Sequence, residues 1–168
     1  MWRCEIINIP VIWKQQLARL MRVPLLNHLM AWGVRLTVPR RRVGVALVLL
    51  NRDRQVLLLR HVFHPAVPWG LPGGWLNRRE TPAAGAIREL REETGLSADL
   101  GSVVHIDGEA RPDHIAIAYV GYSDQPEKIR LSPEIIEAAW FDANQLPTPL
   151  NPFVQKAIQA ALAEERAI

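Results

Sequence analysis

Residues 73 to 96, GGWLNRRETPAAGAIRELREETGL, constrain this chain more tightly than any other stretch. Thr81-Pro82 reads as a helix start, with threonine as N-cap and proline at the first helical position, where a missing N–H costs nothing. Gly95 supplies the left-handed residue that commonly ends a helix, so the expected helix covers about residues 82 to 94. At about 100° per residue, Ala83, Ala86, Ile87, Leu90 and Thr94 share one side, and Glu89, Glu92 and Glu93 fall within an arc of about 100° on an adjoining one. The apolar side fixes the helix against a core. The acidic side is left to face something.

Three like charges on one face repel, at a few tenths of a kcal/mol per i,i+4 pair such as Glu89 with Glu93. An acid-rich helix taken alone is usually a solvated surface with ordinary ion pairs, here to Arg88 and Arg91. A divalent cation would reverse the sign of the repulsion. Hard oxygen donors suit Mg2+ or Mn2+, and Mg2+ normally keeps waters and shares itself with substrate phosphates, which makes a diphosphate its natural co-ligand.

The chain of 168 residues is long enough for one domain with a sizeable core, or one domain plus an appendage. Charge is distributed unevenly: residues 1 to 42 hold eight basic residues against Glu5 alone, a net +7, whereas residues 43 to 168 hold 12 bases and 16 acids, a net −4. A basic extension, residues 1–38, is therefore expected to precede a mildly acidic domain, residues 39–168. Cys4 is the single cysteine, so no intramolecular disulfide can form, and a reducing cytoplasm is the expected location. The N-terminus lacks the pattern of a secretory signal, and the run from Val23 to Val38 is too interrupted to span a membrane.

Within the extension, Trp13, Leu17, Leu20 and Met21 lie at helical spacing among Lys14, Arg19 and Arg22. Pro24 ends that helix and opens a short second one reaching Trp32, with Gly33 as its stop. Packing on its own domain or on a second subunit is the first expectation for this pair, ahead of peripheral contact with an anionic membrane surface. Arg40, Arg41 and Arg42 are too short a run to argue for nucleic acid.

Residues 43–51 and 55–61 are β-favouring runs separated by turn residues, and so predict a hairpin with both strands buried on both faces. Residues 64–74, with three prolines and three glycines, read as a constrained loop. Strands are expected in 97–110 and 114–122, around a turn at Arg111-Pro112-Asp113, and a short one in 138–142; a helix is expected over 152–165. The order of elements predicts an α+β domain with helices packed on a mixed sheet.

The pattern Gly74-x5-Glu80-x7-Arg88-Glu89-Leu90-x-Glu92-Glu93-x-Gly95-Leu96 resembles the Nudix box of the Nudix hydrolase (MutT-like) superfamily at every defining position. Element order extends the resemblance loosely over residues 40 to 165. It implies the Nudix fold, an α/β/α sandwich on a mixed sheet. It also implies Mg2+-dependent hydrolysis, with Mn2+ as an alternative cation, of a pyrophosphate bond in a nucleoside diphosphate derivative such as ADP-ribose, a nucleotide sugar or a nucleoside triphosphate. By position, the resemblance makes Glu92, Glu93 and the Gly73 carbonyl metal ligands and Glu89 a ligand or general base. Arg88 and Glu80 would orient these carboxylates. Family members often carry a further catalytic acid beyond the box, for which Glu134 and Glu137 are the candidates, Glu134 ahead. Many members have Glu-x-Gly-Glu where this chain has Asn77-Arg78-Arg79-Glu80, which puts the usual turn in question.

Residues for choosing a substrate lie outside the helix. Trp69 and Trp75 flank the Pro-Gly loop and could stack on a base or pack in the core. Arg78 and Arg79 could clamp phosphates or sit exposed in the loop. Arg60, His61 and His64 could meet phosphate oxygens. Pro112 stands where ADP-ribose pyrophosphatases show a weak marker, but turns choose proline anyway. The expected partners are a small nucleotide and a second copy of the chain. Two other classes stay open: a nucleotide-sensing regulator, which predicts an eroded box, and an RNA 5′-end pyrophosphohydrolase using the basic extension.

Overall fold

The computed structural model describes residues 10, 13, 15, 16, 24–38, 41–110, 114–123 and 129–165. The chain divides into two compact units, Met1–Arg40 and Arg41–Ile168. In the first, helix α1 spans Pro24–Thr37. The stop expected at Gly33 does not occur. A glycine inside a helix costs about 1 kcal/mol relative to alanine and does not by itself break one. The turn continues through it, with the Thr37 hydroxyl donating to the Gly33 carbonyl at 2.8 Å. The helix ends where the sequence reaches Pro39, whose ring disfavours helical geometry at the residue before it. Most of the helix expected over residues 11–22 lies outside the described residues, of which 13, 15 and 16 are helical.

The second unit is built on a seven-stranded mixed sheet of β1 (Arg42–Leu50), β2 (Val56–His61), β3 (Trp69–Gly70), β4 (Gly73–Trp75), β5 (Asp99–Ala110), β6 (His114–Tyr122) and β7 (Ile135–Phe141). Its centre is the parallel pairing of β1 with β6, in register from Arg42↔His114 to Leu50↔Tyr122. On its other side β1 meets two partners. Its first half pairs antiparallel with β4, from Gly44↔Trp75 to Ala46↔Gly73, and its end pairs with β2 at Leu50↔Val56. β2 continues outward to β3 and β7, and β5 closes the far edge against β6.

Side chains alternate across the strands, and the two faces are covered by different helices. Val48, Leu50, Val56 and Leu58 pack with Val154, Ala157, Ile158 and Ala161 of helix α3 (Pro152–Glu165). Leu47, Leu49, Leu57 and Leu59 pack with Leu90 of helix α2 (Pro82–Thr94), together with Leu96 and Ile135. Both central strands are apolar on both faces because both faces are inside. This is the α/β/α sandwich that the resemblance implies. The segment read as a loop, residues 64–74, instead carries β3 and the start of β4, strands too short for any periodic signal. The turn expected at residues 111–113 lies outside the described residues.

Leu90 is fully buried between α2 and the sheet. Leu90→Ala is expected to cost about 2–5 kcal/mol, read as a lower midpoint in urea denaturation.

Candidate active site

Helix α2 begins and ends as its capping residues dictate. Thr81 is extended (φ −79°, ψ 150°) and accepts from the Ala84 N–H, Pro82 opens the helix, and Gly95 ends it at φ 74° with its N–H on the Arg91 carbonyl. The helix is drawn close to β4 by small residues. A Cβ on Gly85 would collide with the Leu76 side chain, and one on Gly73 would run into the Val45 backbone of β1. A Cβ on Gly74 would come within 2.5 Å of the Glu89 carboxylate. Gly74 therefore lets the Glu89 carboxylate, and Gly73 the backbone of β1, approach where no side chain could fit.

Arg88 is the hub of this contact. Its Nε and Nη2 donate to the two oxygens of Glu80 at 2.8 and 3.0 Å, its Nη1 to Glu89 at 2.8 Å and Glu92 at 2.9 Å, and Nη2 also to the Trp75 carbonyl at 3.1 Å. The fork of the guanidinium suits this many acceptors. Glu80 also accepts from the Asn77 N–H at 2.9 Å. The guanidinium, with that N–H, holds the Glu80 carboxyl down to about 2, and the same contacts raise Arg88 further above its ordinary value.

Glu93 behaves differently. It is 8% exposed, and its Oε2 accepts from the Gly73 N–H at 2.9 Å. Burial, with the charges of Glu89, Glu134 and Glu92 adding to it, pushes its carboxyl up to about 8 against the opposing Gly73 hydrogen bond. Its Oε1 lies 4.0 Å from Nδ1 of His61. Burial and the neighbouring His64 lower the His61 pKa, so near neutral pH both groups favour their uncharged forms and the contact is not an ion pair.

Beside Gly73 and Gly74 opens a cleft of about 890 Å³. Its lining includes Trp69 and Trp75 as well as His61, His64, Asp107, His114, Asn151 and Phe153. The Trp75 ring stands edge-on to His114 at 5.0 Å, with the Arg42 guanidinium 5.7 Å from its centroid. Trp69 packs edge-on against Phe141 at 5.0 Å, so it serves core and cleft together. Asp107, His114, Asn151 and Phe153 carried no motif. Asn151 had a faint signal, as the residue before a helix-starting proline; its Oδ1 accepts from the Phe153 N–H at 2.9 Å.

The other expected substrate residues sit elsewhere. Arg60 faces Glu137 across β2 and β7, 3.2 Å apart, and neither it nor Arg78 or Arg79 lines the cleft. Arg79 takes the left-handed φ of 65° that a glycine would favour, so the turn survives without its glycine at a cost of about 1 kcal/mol. Glu134 ends the turn before β7, where its backbone carbonyl accepts from the Val62 N–H and its charge acts on Glu93.

Among the described residues no three acidic, histidine or cysteine side chains already stand at metal-ligating separations. Arg88 draws Glu89 and Glu92 toward itself, and Glu93 turns to Gly73. The donor set nonetheless fits a hard divalent cation: three carboxylates from two helical turns, all oxygen donors, one of them buried where its ionisation is opposed.

A family model, NUDIX domain, matches residues 40–161. The chain belongs to this family and is a hydrolase of the class that acts on pyrophosphate bonds. An RNA pyrophosphohydrolase of Gluconobacter oxydans is 32% identical over 153 residues, covering 79% of this chain and 88% of that protein. One from Erythrobacter litoralis is 26% identical, covering 77% and 93%. The crystal structure of a MutT protein from Methanosarcina mazei shares the fold, with a TM-score of 0.63 at 24% identity over 77% of this chain and 98% of that one. A C. elegans Ap4A hydrolase does likewise, at 0.67 and 16% over 74% and 99%.

Glu93 holds its proton more tightly folded than unfolded, about 8 against an ordinary 4.5. Its contribution to stability is therefore complete below the lower value and lost as pH rises through the higher. In chelator-treated protein, the melting temperature is expected to fall between these values, and Glu93→Gln is expected to flatten that fall.

Proposed function

We propose that the chain is a Mg2+-dependent pyrophosphohydrolase of a nucleoside diphosphate derivative, with the nucleoside in the cleft and the diphosphate over Gly73, Gly74 and the acidic side of α2. The observation that carries this reading is the convergence of an aromatic-walled cleft, large enough for a nucleotide, on the backbone that contacts Glu89 and Glu93. Glu89, Glu92, Glu93 and the Gly73 carbonyl would hold the cation. When bound, it supplies charge neutralisation on the diphosphate and acidifies water.

The protein's own residues do the rest. Arg88 and Glu80 set the directions of Glu89 and Glu92, a positioning role that rests on the bidentate pair. Glu89, close against Gly74, would either share in holding the cation or accept a proton from an attacking water, with Glu134 the second candidate for the proton. Trp75 offers a half-exposed indole face to a base, its orientation fixed by His114 and Arg42. Arg78 and Arg79 are left as outer contacts for a longer phosphate chain.

A second reading, removal of pyrophosphate from the 5′ end of RNA, is favoured by the names of the two relatives above. In it the same cleft would take the first nucleotide. Incubation with Mg2+ and a panel of ADP-ribose, dinucleoside polyphosphates, nucleotide sugars, nucleoside triphosphates and triphosphorylated RNA separates the two. Turnover of the small nucleotides with little on RNA supports the first; the reverse order supports the second. Glu92→Gln and Glu93→Gln are each expected to lower kcat by at least about 100-fold. Full activity in both variants, or no turnover of any substrate by the unaltered chain, contradicts the enzyme reading. Trp75→Ala is expected to raise KM about tenfold, with a smaller change in kcat, if the indole stacks on the base.

A further inference from the structure

Helix α1 has an apolar side that remains exposed. Leu29 is 61% exposed, Trp32 64% and Leu36 77%, and at about 100° per residue these three fall within an arc of about 60°. Met30 and Val34, also exposed, lie off that arc, at about 100° and 140° from Leu29. Trp13, in the preceding segment, is exposed as well. The unit carrying these residues holds six basic residues against Glu5 alone, a net charge of +5. Exposed apolar bulk and uniform positive charge on one short segment need an occupant that satisfies both.

We infer that α1 lies on an anionic lipid surface. Fourteen residues make a helix of about 21 Å, short of the roughly 30 Å hydrocarbon layer, and no helix among the described residues is long and apolar enough to cross a membrane. The helix therefore lies along the interface, with Trp32, Leu29 and Leu36 entering the acyl boundary and the net positive charge of the unit favouring anionic headgroups. Pairing of this side with the same side of a second copy would bring two units of charge +5 together. An RNA strand would satisfy the charge but leave the aliphatic side chains in water. The anionic bilayer satisfies both.

The test is sedimentation of the full chain with vesicles of phosphatidylcholine alone or of an equimolar mixture with phosphatidylglycerol. At least about tenfold more protein is expected on the anionic vesicles, with the difference shrinking as salt is raised. Leu29→Glu combined with Trp32→Glu is expected to abolish binding, and Arg19→Glu combined with Arg22→Glu to remove the preference for anionic lipid; unchanged thermal melting in each shows that the fold is kept. Equal or absent binding to both vesicle types overturns the inference. So does a dimer in light scattering that the Leu29 and Trp32 substitutions dissociate without vesicle binding. Retention by RNA but not by vesicles overturns it equally.

Discussion

The guanidinium of Arg88 is the contact on which the site depends. It sits among Glu80, Glu89 and Glu92 and reaches the Trp75 carbonyl of β4, so one side chain ties the acidic side of α2 to the sheet. Without it three carboxylates would repel one another beside a strand whose glycines leave little room. With it, Glu80 is fully ionised and spent on Arg88, whereas Glu93, outside that network and buried, resists ionisation. Two kinds of carboxylate thus stand side by side, one just before the helix and satisfied by Arg88, the other buried within it, where the proposed cation would offset the cost of its ionisation.

The fold serves this arrangement by splitting the partners of β1. Its end is committed to β2 and the core, and its beginning to β4, which carries Gly73 and Gly74 up to the helix. The parallel strand β6 brings His114 against Trp75, so the cleft wall and the acidic helix are fixed by the same strand. The elements proposed to bind and to act on substrate consequently share one frame, which suits a reaction that depends on positioning and charge more than on covalent steps.

Much of this was legible in the sequence, for local reasons. The cap at Thr81, the stop at Gly95 and the spacing of Leu90 with its neighbours are short-range signals, and the helix fell where they put it. The buried runs of β1 and β2 were equally plain. What was not legible came from long-range pairing. Arg60 finds Glu137 because β2 and β7 happen to align them, and Asp107 and His114 reach the cleft only through the register of β5, β6 and β1. β3 and β4 are too short to show a period. Gly33 looked like a stop because glycine often is one, yet nothing crowds its position and the helix passes through.

The central claim is that the carboxylates of α2, Glu93 above all, form a divalent-cation site completed by the diphosphate of a substrate. Calorimetric titration of Mn2+ into the full chain at pH 7, in two buffers of different ionisation enthalpy, tests it most directly, because cation binding must displace the proton that Glu93 holds up to about 8. The account predicts binding with release of close to one proton per ion, and loss of both binding and release in Glu93→Gln. Binding that releases no proton, or that survives unchanged in Glu93→Gln, would contradict it.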